Sequence, residues 1–507
     1  MWNQLRYSNR HSGWIAIWLA LLGASGCSTS ADSVVRFGLA APPVTLDPRF
    51  ATDAAAARIG RLLFESLVDF DDNFQPIPAL ANWTRITPTH YRVKLRRQSR
   101  FHDGAPVTAQ DVVATYRAVL AADSKSPHRG ALRNIARIEA DGPRQVDFHL
   151  RRADELFVGL LTLGILRAHE AHREDVLLRP TGSGPFRLEP NSTLERIRLQ
   201  RVRDGQHIEF LSITNETTRV LKLVRGELDI VQGGISPENA RWLAAQPSLQ
   251  VLTRPGTLFS YIGTNLARGP TRGQEVRTAL ALALDRVAIV EHLFGGDARL
   301  AQSLLVPEHW AGARLAALDF DPEAARRALA RAGYSASHPL RLELKTSSDS
   351  FRRRLATVLQ RQWRAVGIDV TIKSYDWGTF YGDVKAGRFD LYLLSWVGLQ
   401  LPDIFRQAFH SDSRPPRGAN RGGYRSAQAD SLIDAAERAT QTGTQVAHYQ
   451  ALQLLLLHDL PYLPLWFEDT VIVHRRRVLG YDTNLHAHYD ALIGTTLARA
   501  YDATTSH

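Results

Sequence analysis

Apolar residues recur at helical spacing in several stretches of this chain, with short alternating or continuous apolar runs between them. The spacing predicts helices where one apolar stripe can face a core. Thr108-Ala109-Gln110-Asp111 opens such a stretch, continued by Val112, Val113, Tyr116, Val119 and Leu120, and Thr followed three residues on by an acid reads as a capping box. Residues 275–293 carry Val276, Leu280, Ala283, Leu284, Val287 and Val290 at the same spacing and are expected to form one helix. Asp321-Pro322-Glu323 gives a cap, a first-turn proline and an acid on the helix dipole, with Gly333 as the stop. Further helices are expected over 351–366, 429–439 and 445–458. Strands are expected at 34–39, 91–95, 146–150, 197–201, 340–344, 369–374, 391–394 and 471–473. The run from 340 to 374 has the order strand, helix, strand of a βαβ unit.

Alternation to the end of the chain gives an α/β or α+β class. At 507 residues there is material for two or three domains. No repeat, low-complexity tract or long Pro/Gly linker divides them, so lobes joined by several chain crossings are expected. Residues 14–22 form a short apolar run after Arg6 and Arg10, and Gly23-Ala24-Ser25-Gly26-Cys27 follows. A basic start, a short apolar core and small residues are the parts of an export signal. Cys27 directly after the small residues makes it similar to a bacterial lipoprotein signal, cut before an acylated Cys27. The run is short of the roughly 20 apolar residues of a membrane span. Residues 1–26 are therefore read as signal and 27–32 as tether. Cys27 is the only cysteine, so once acylated it leaves none for a disulfide.

The formal charge is +11, almost all of it from scattered arginines. The densest basic cluster, His474-Arg475-Arg476-Arg477, is short and lies among apolar residues, so nucleic acid is not an expected partner. The phosphate-loop, His-Glu-x-x-His and Gly-x-Ser-x-Gly patterns are absent. Thr181-Gly182-Ser183-Gly184-Pro185 is read as a structural loop, and His102-Asp103 before Gly104 as a turn. The acids Asp71-Asp72 and Glu468-Asp469 are read as solvated or capping residues. The 18 histidines show no metal-ligand spacing. The expectation is no enzyme, no cofactor and no metal. Trp377, Phe380, Tyr381, Tyr392 and Trp396 crowd one stretch, and large aromatics near a cleft bury ligands well.

Four blocks in order then carry a resemblance over residues 34–480. They are Val44-Thr45-Leu46-Asp47-Pro48 with Leu63-Phe64-Glu65-Ser66-Leu67; Tyr91 to Arg96 through Phe101-His102-Asp103-Gly104 to Val112; Gly182-Ser183-Gly184-Pro185-Phe186; and Asn265 with Val276-Arg277-Thr278-Ala279-Leu280 and Ala283-Leu284-Asp285-Arg286. The chain resembles the family 5 extracellular solute-binding proteins, the oligopeptide/dipeptide-type receptors of ABC importers. The resemblance implies a two-lobed periplasmic-binding-protein clamshell (type II, cluster C) with an extra third domain. Lobe I is then expected at 33–48, 176–262 and 473–507, the extra domain at 49–175, and lobe II at 263–472. It also implies a monomer that encloses a small solute, possibly a peptide, and docks on a permease and its ATPase. The expected location is the periplasmic face of a membrane, lipid-anchored, with a soluble periplasmic form as the alternative.

The same resemblance places the ligand contacts on Val44 and Thr45 from lobe I, and on Thr346, Trp377, Ser395, Trp396 and Val397 from lobe II. Peptide-binding members hold a ligand ammonium on an Asp three residues after the cleft Trp; here that position is Leu399. Their basic positions for a carboxylate fall on Thr346, Phe351, Val384 and Leu393, all uncharged. Two readings stay open. Shifted charges, Asp403 or Arg406, hold a peptide, or the solute lacks zwitterionic ends, as a blocked peptide or sugar does. A non-transport sensor or chaperone-like binder on the same scaffold is the alternative function.

Overall fold

The computed structural model describes residues 34–173, 175 and 177–498; Cys27 and the signal lie outside them. One mixed sheet runs through the molecule. Across it the strands follow in the order Ile368–Tyr375, Leu340–Ser347, Leu391–Trp396, Leu249–Thr264, Tyr462–Arg475, Ile230–Gln232, Val34–Leu39, His207–Ser212, Arg196–Arg201 and Phe186–Leu188. A separate four-stranded antiparallel sheet, Ala81–Thr87, His90–Leu95, Gln145–Leu150 and Ile135–Asp141, is the centre of the extra domain. The helix Ala109–Leu120 contributes Val112, Tyr116 and Val119 to that domain's core, and its capping box is formed by Thr108 and Asp111.

Alternation along each strand builds the layers. In Leu391–Trp396, Leu391 and Leu393 enter one core with Leu355 and Trp363, while Tyr392 enters another with Phe259 and Tyr261. The βαβ unit is present: Leu340 pairs with Ile368 in parallel register, joined by the helix Ser350–Ala365. The helix beginning at Pro322 is capped by Asp321, whose side chain accepts from the Ala324 N–H at 2.7 Å.

Two expectations are corrected. Residues 275–293 do not form one helix but two, Gln274–Leu282 and Arg286–Phe294. Asp285 breaks the run: its carboxylate accepts from the Ala288 N–H at 2.9 Å and starts the second helix as a cap. The helix Ala54–Leu63 lies inside the span 49–175 expected for the extra domain, yet Ile59, Leu62 and Leu63 share a core with Val35 and Phe37 of lobe I. Leu166, Ala171 and Leu177 join the same core.

Two long strands, Leu249–Thr264 and Tyr462–Arg475, pair with each other over most of their length. Their first and last thirds belong to different cores. Leu249 packs with Val471 and Val473, whereas Phe259 packs with Phe467 and Tyr462. These strands therefore tie the two lobes together. Their register shifts between Arg254 and Leu258. Gly256 lies in that interval, and a Cβ there would stand 2.2 Å from the Glu468 carbonyl oxygen, so only glycine fits.

Phe74, His309 and His486 meet where the extra domain, lobe II and the C-terminal segment touch. His309 Nε2 donates to the Gln400 carbonyl at 3.1 Å and its Nδ1 accepts from the Ala311 N–H at 2.9 Å, which uses both nitrogens of the neutral ring. Burial pushes its pKa down to about 4. Below pH 6.5 the unfolded imidazole gains a proton that the folded one refuses, so this contribution is complete above pH 6.5 and is lost as pH falls toward 4. The loss is about 2 kcal/mol by pH 5. The urea midpoint is expected to fall between pH 7 and pH 5. His309→Phe should start lower at pH 7, with two buried backbone groups unpaired, and fall less.

Candidate ligand-binding cleft

Ligands in open α/β sheets bind beyond the carboxyl ends of parallel strands. In lobe II the parallel strands Leu340–Ser347, Ile368–Tyr375 and Leu391–Trp396 end together. Trp396 stands opposite Phe259, next to the register shift of the crossing strands. In lobe I, Ile230–Gln232 runs parallel to Val34–Leu39, and Gln232 stands opposite Ile472, itself paired with Leu252. The carboxyl ends of both sets of strands thus border the crossing stretch 253–258 from opposite sides. A solute between them touches both lobes.

Four side chains form one stack on lobe II. Trp377, the first residue of the helix Trp377–Lys385, is 53% exposed and stacks on Tyr381 at 5.3 Å and 8°. The Arg421 guanidinium lies 5.3 Å from the Tyr381 ring centroid and 4.8 Å from that of Trp396. The Trp396 indole N–H is buried without a hydrogen-bond partner. Trp377 and Trp396, expected in the cleft, are joined here by Tyr381 and by an arginine the sequence reading did not single out. The signal for it was present in Asn420-Arg421-Gly422-Gly423-Tyr424. Asn420 is buried, donating to the His410 and Tyr424 carbonyls at 3.2 and 2.8 Å. A Cβ on Gly422 would meet the Thr264 oxygen at 2.3 Å. The loop is pinned on both sides of Arg421.

Ser395 points to the other face of its strand. Its hydroxyl lies 2.7 Å from Ser260 Oγ and accepts from the Arg352 guanidinium at 3.0 Å. Arg352 also pairs with Glu468 at 3.0 Å. Glu468, read from the sequence as a solvated or capping acid, is instead half of an ion pair on a crossing strand. Its partner is one residue past Phe351, an expected basic position. Thr346 is fully buried and its hydroxyl has no partner.

The other expected residues are placed as follows. Val397 is exposed at the strand end, and Leu399 is buried with Ile404 and Phe405. Asp403 is buried at the start of the helix Ile404–Phe409; burial pushes its carboxyl up to about 7, against the Gln407 amide that donates to it at 2.6 Å. Asp154 and Glu437 add repulsion. Arg406 is engaged by Glu437 at 2.6 Å and by Asp434. Both Asp403 and Arg406 are thus engaged by neighbours within lobe II, and neither bonds the Trp396 indole N–H. On lobe I, Val44 is exposed and donates its N–H to Asp53 at 3.0 Å, while Thr45 is buried and its hydroxyl accepts from the Asp47 N–H at 3.0 Å.

The motifs that looked most like chemistry hold the fold together. The His102 N–H donates to the Gly182 carbonyl at 2.8 Å, and His102 Nε2 to the Gly184 carbonyl at 2.9 Å. Ser183 Oγ accepts from the Glu65 N–H at 3.3 Å. Among the described residues no group of three or more His, Cys, Asp or Glu could hold a metal ion. No described helix is long and apolar enough to cross a membrane.

Two lobes tied by crossing strands, with the strand ends of both beside the crossing stretch, define a two-lobed solute-binding clamshell. The chain belongs to the bacterial extracellular solute-binding proteins, family 5, whose middle-region model matches residues 73–414. It is 28% identical to a probable deoxycholate-binding periplasmic protein of Escherichia coli (strain K12), over 89% of this chain and 91% of that one. It is 27% identical to a dipeptide-binding protein of Pseudomonas aeruginosa (PAO1), over 88% and 92%. The fold matches that of the oligopeptide-binding protein AppA from Bacillus subtilis, solved with a nonapeptide. There the TM-score is 0.82 at 23% identity, covering 92% of this chain and 99% of that one.

Proposed function

We propose that this protein is the periplasmic capture receptor of an ABC importer, taking a peptide or peptide-like solute between its lobes and delivering it to a permease and ATPase. The carrying observation is that the strand ends of both lobes border the crossing stretch, with the stack of Trp377, Tyr381, Arg421 and Trp396 on the lobe II side. The relatives named for dipeptides and deoxycholate support a small organic solute. A solute without a free ammonium is the second reading. Leu399 is packed among apolar side chains, and the acid nearest in sequence, Asp403, is bonded to the Gln407 amide. An ammonium left unpaired in a closed cleft would cost several kcal/mol.

In this reading Cys27 carries the lipid that holds the receptor at the membrane, and the receptor works as a monomer. Native mass spectrometry of the protein purified from its membrane fraction tests both parts. The expected result is a chain starting at acylated Cys27 with a small solute released on unfolding. A panel of peptides and neutral analogues, none of which raises the melting temperature, would remove support for solute capture.

A further inference from the structure

The guanidinium of Arg421 has no acid beside it. Among the described residues no carboxylate forms an ion pair with it. Its Nη1 donates to the Tyr261 hydroxyl at 3.3 Å and its Nη2 to the Tyr381 hydroxyl at 3.0 Å. Its two ring contacts are Tyr381 and Trp396. Burial pushes the Tyr261 and Tyr392 phenols well above their ordinary pKa, so neither supplies a counter-charge at neutral pH. Two buried arginines are held differently: Arg49 lies on Asp47 at 2.7 Å, and Arg286 donates to the Ala301 and Pro464 carbonyls at 2.7 and 2.9 Å and to that of Leu318 at 2.8 Å. Arg421 is held by phenol hydroxyls and π faces.

Donor accounting sharpens this. A guanidinium has five N–H donors in a planar fork, and two are used here. Two rings and two phenol hydroxyls contact the guanidinium, and the pinned loop fixes the stem, so little freedom is lost when a ligand arrives. The Trp396 indole N–H is also without a partner. A planar fork with a fixed orientation suits a bidentate oxyanion, and carboxylate matches its geometry. Cation–π contact with two rings stabilises the cation but does not neutralise it.

We propose that Arg421 is the ligand-selecting residue of the cleft, pairing with a carboxylate of the incoming solute while Trp396 and Tyr381 hold its guanidinium in place. The specificity at this wall is then inverted relative to an ammonium site: the protein supplies the cation and the solute the anion. The inference rests on the solute-capture reading above.

The test compares matched probes by isothermal titration: short peptides with a free C-terminal carboxylate, the same peptides as C-terminal amides, and deoxycholate beside its neutral amide. Each is measured on the full chain and on Arg421→Gln and Arg421→Lys, with melting temperatures recorded to show that both variants fold. The wild type is expected to bind at least one carboxylate at least tenfold more tightly than its amide. Arg421→Gln should lose that preference, and Arg421→Lys should keep part of it. If carboxylate and amide bind wild type equally, or if Arg421→Gln keeps the preference, the assignment of Arg421 is overturned while solute capture stands. If no probe of either charge binds folded wild type, solute capture falls and this inference falls with it.

Discussion

Gly182→Ala is expected to lower the unfolding free energy by about 3 kcal/mol, read as a shift in urea midpoint at constant slope. A Cβ at this position would stand 1.9 Å from the Leu63 carbonyl oxygen and 2.8 Å from its carbon. Both are backbone atoms at the end of the helix Ala54–Leu63, so no side-chain rotation can make room. The loop cannot retreat without loss either. The Gly184 N–H donates to that same Leu63 oxygen at 2.8 Å, and the Gly182 carbonyl accepts from His102. Gly60→Ala, in the same helix, is the control. Nothing lies within 4 Å of its Cβ position, and removing a helical glycine should raise stability by up to about 1 kcal/mol.

Trp396→Ala is expected to weaken solute binding by tenfold or more, about 1.4 kcal/mol, with only a small change in melting temperature. The indole is half-buried at a strand end and supports Arg421 from one side. Removing it frees the guanidinium to tilt and opens the stack to water. Trp363 shows what a core tryptophan looks like: it is fully buried and its indole donates to the Leu280 carbonyl at 2.9 Å. Trp363→Ala should cost about 3–5 kcal/mol of stability instead. Titration calorimetry on both variants separates the two roles. Unchanged affinity in Trp396→Ala would remove this residue from the cleft.

Much of the fold was legible because its signals are local. Strand periodicity located Val34–Leu39 and Leu391–Trp396, and Asp321-Pro322 located a helix start, since each depends on neighbours within one turn or one strand. The break at Asp285 was hidden because apolar spacing continues through it, and only the cap reveals two helices. The strand Leu249–Thr264 was not singled out; Arg254-Pro255-Gly256 interrupts its apolar pattern where it passes between lobes. For the candidate cleft, Trp377 and Trp396 were singled out by their type and place in the family pattern. Arg421 was not, because its surroundings come from Tyr261, Tyr381 and Trp396, brought together only by the fold. Arg352 and Glu468 escaped for the same reason: an ion pair between distant segments leaves no mark in either.

The crossing strands also set a timetable. The sheet of the first lobe begins with Val34–Leu39, but the strand that closes it against Ile230–Gln232 is Tyr462–Arg475, made long after both. Pairings so distant in sequence form slowly, because long loops must close before they are rewarded. Neither lobe can therefore finish folding before that strand is made. A nascent chain wired in this way keeps both lobes open until then, a state in which they can still be threaded through a narrow pore.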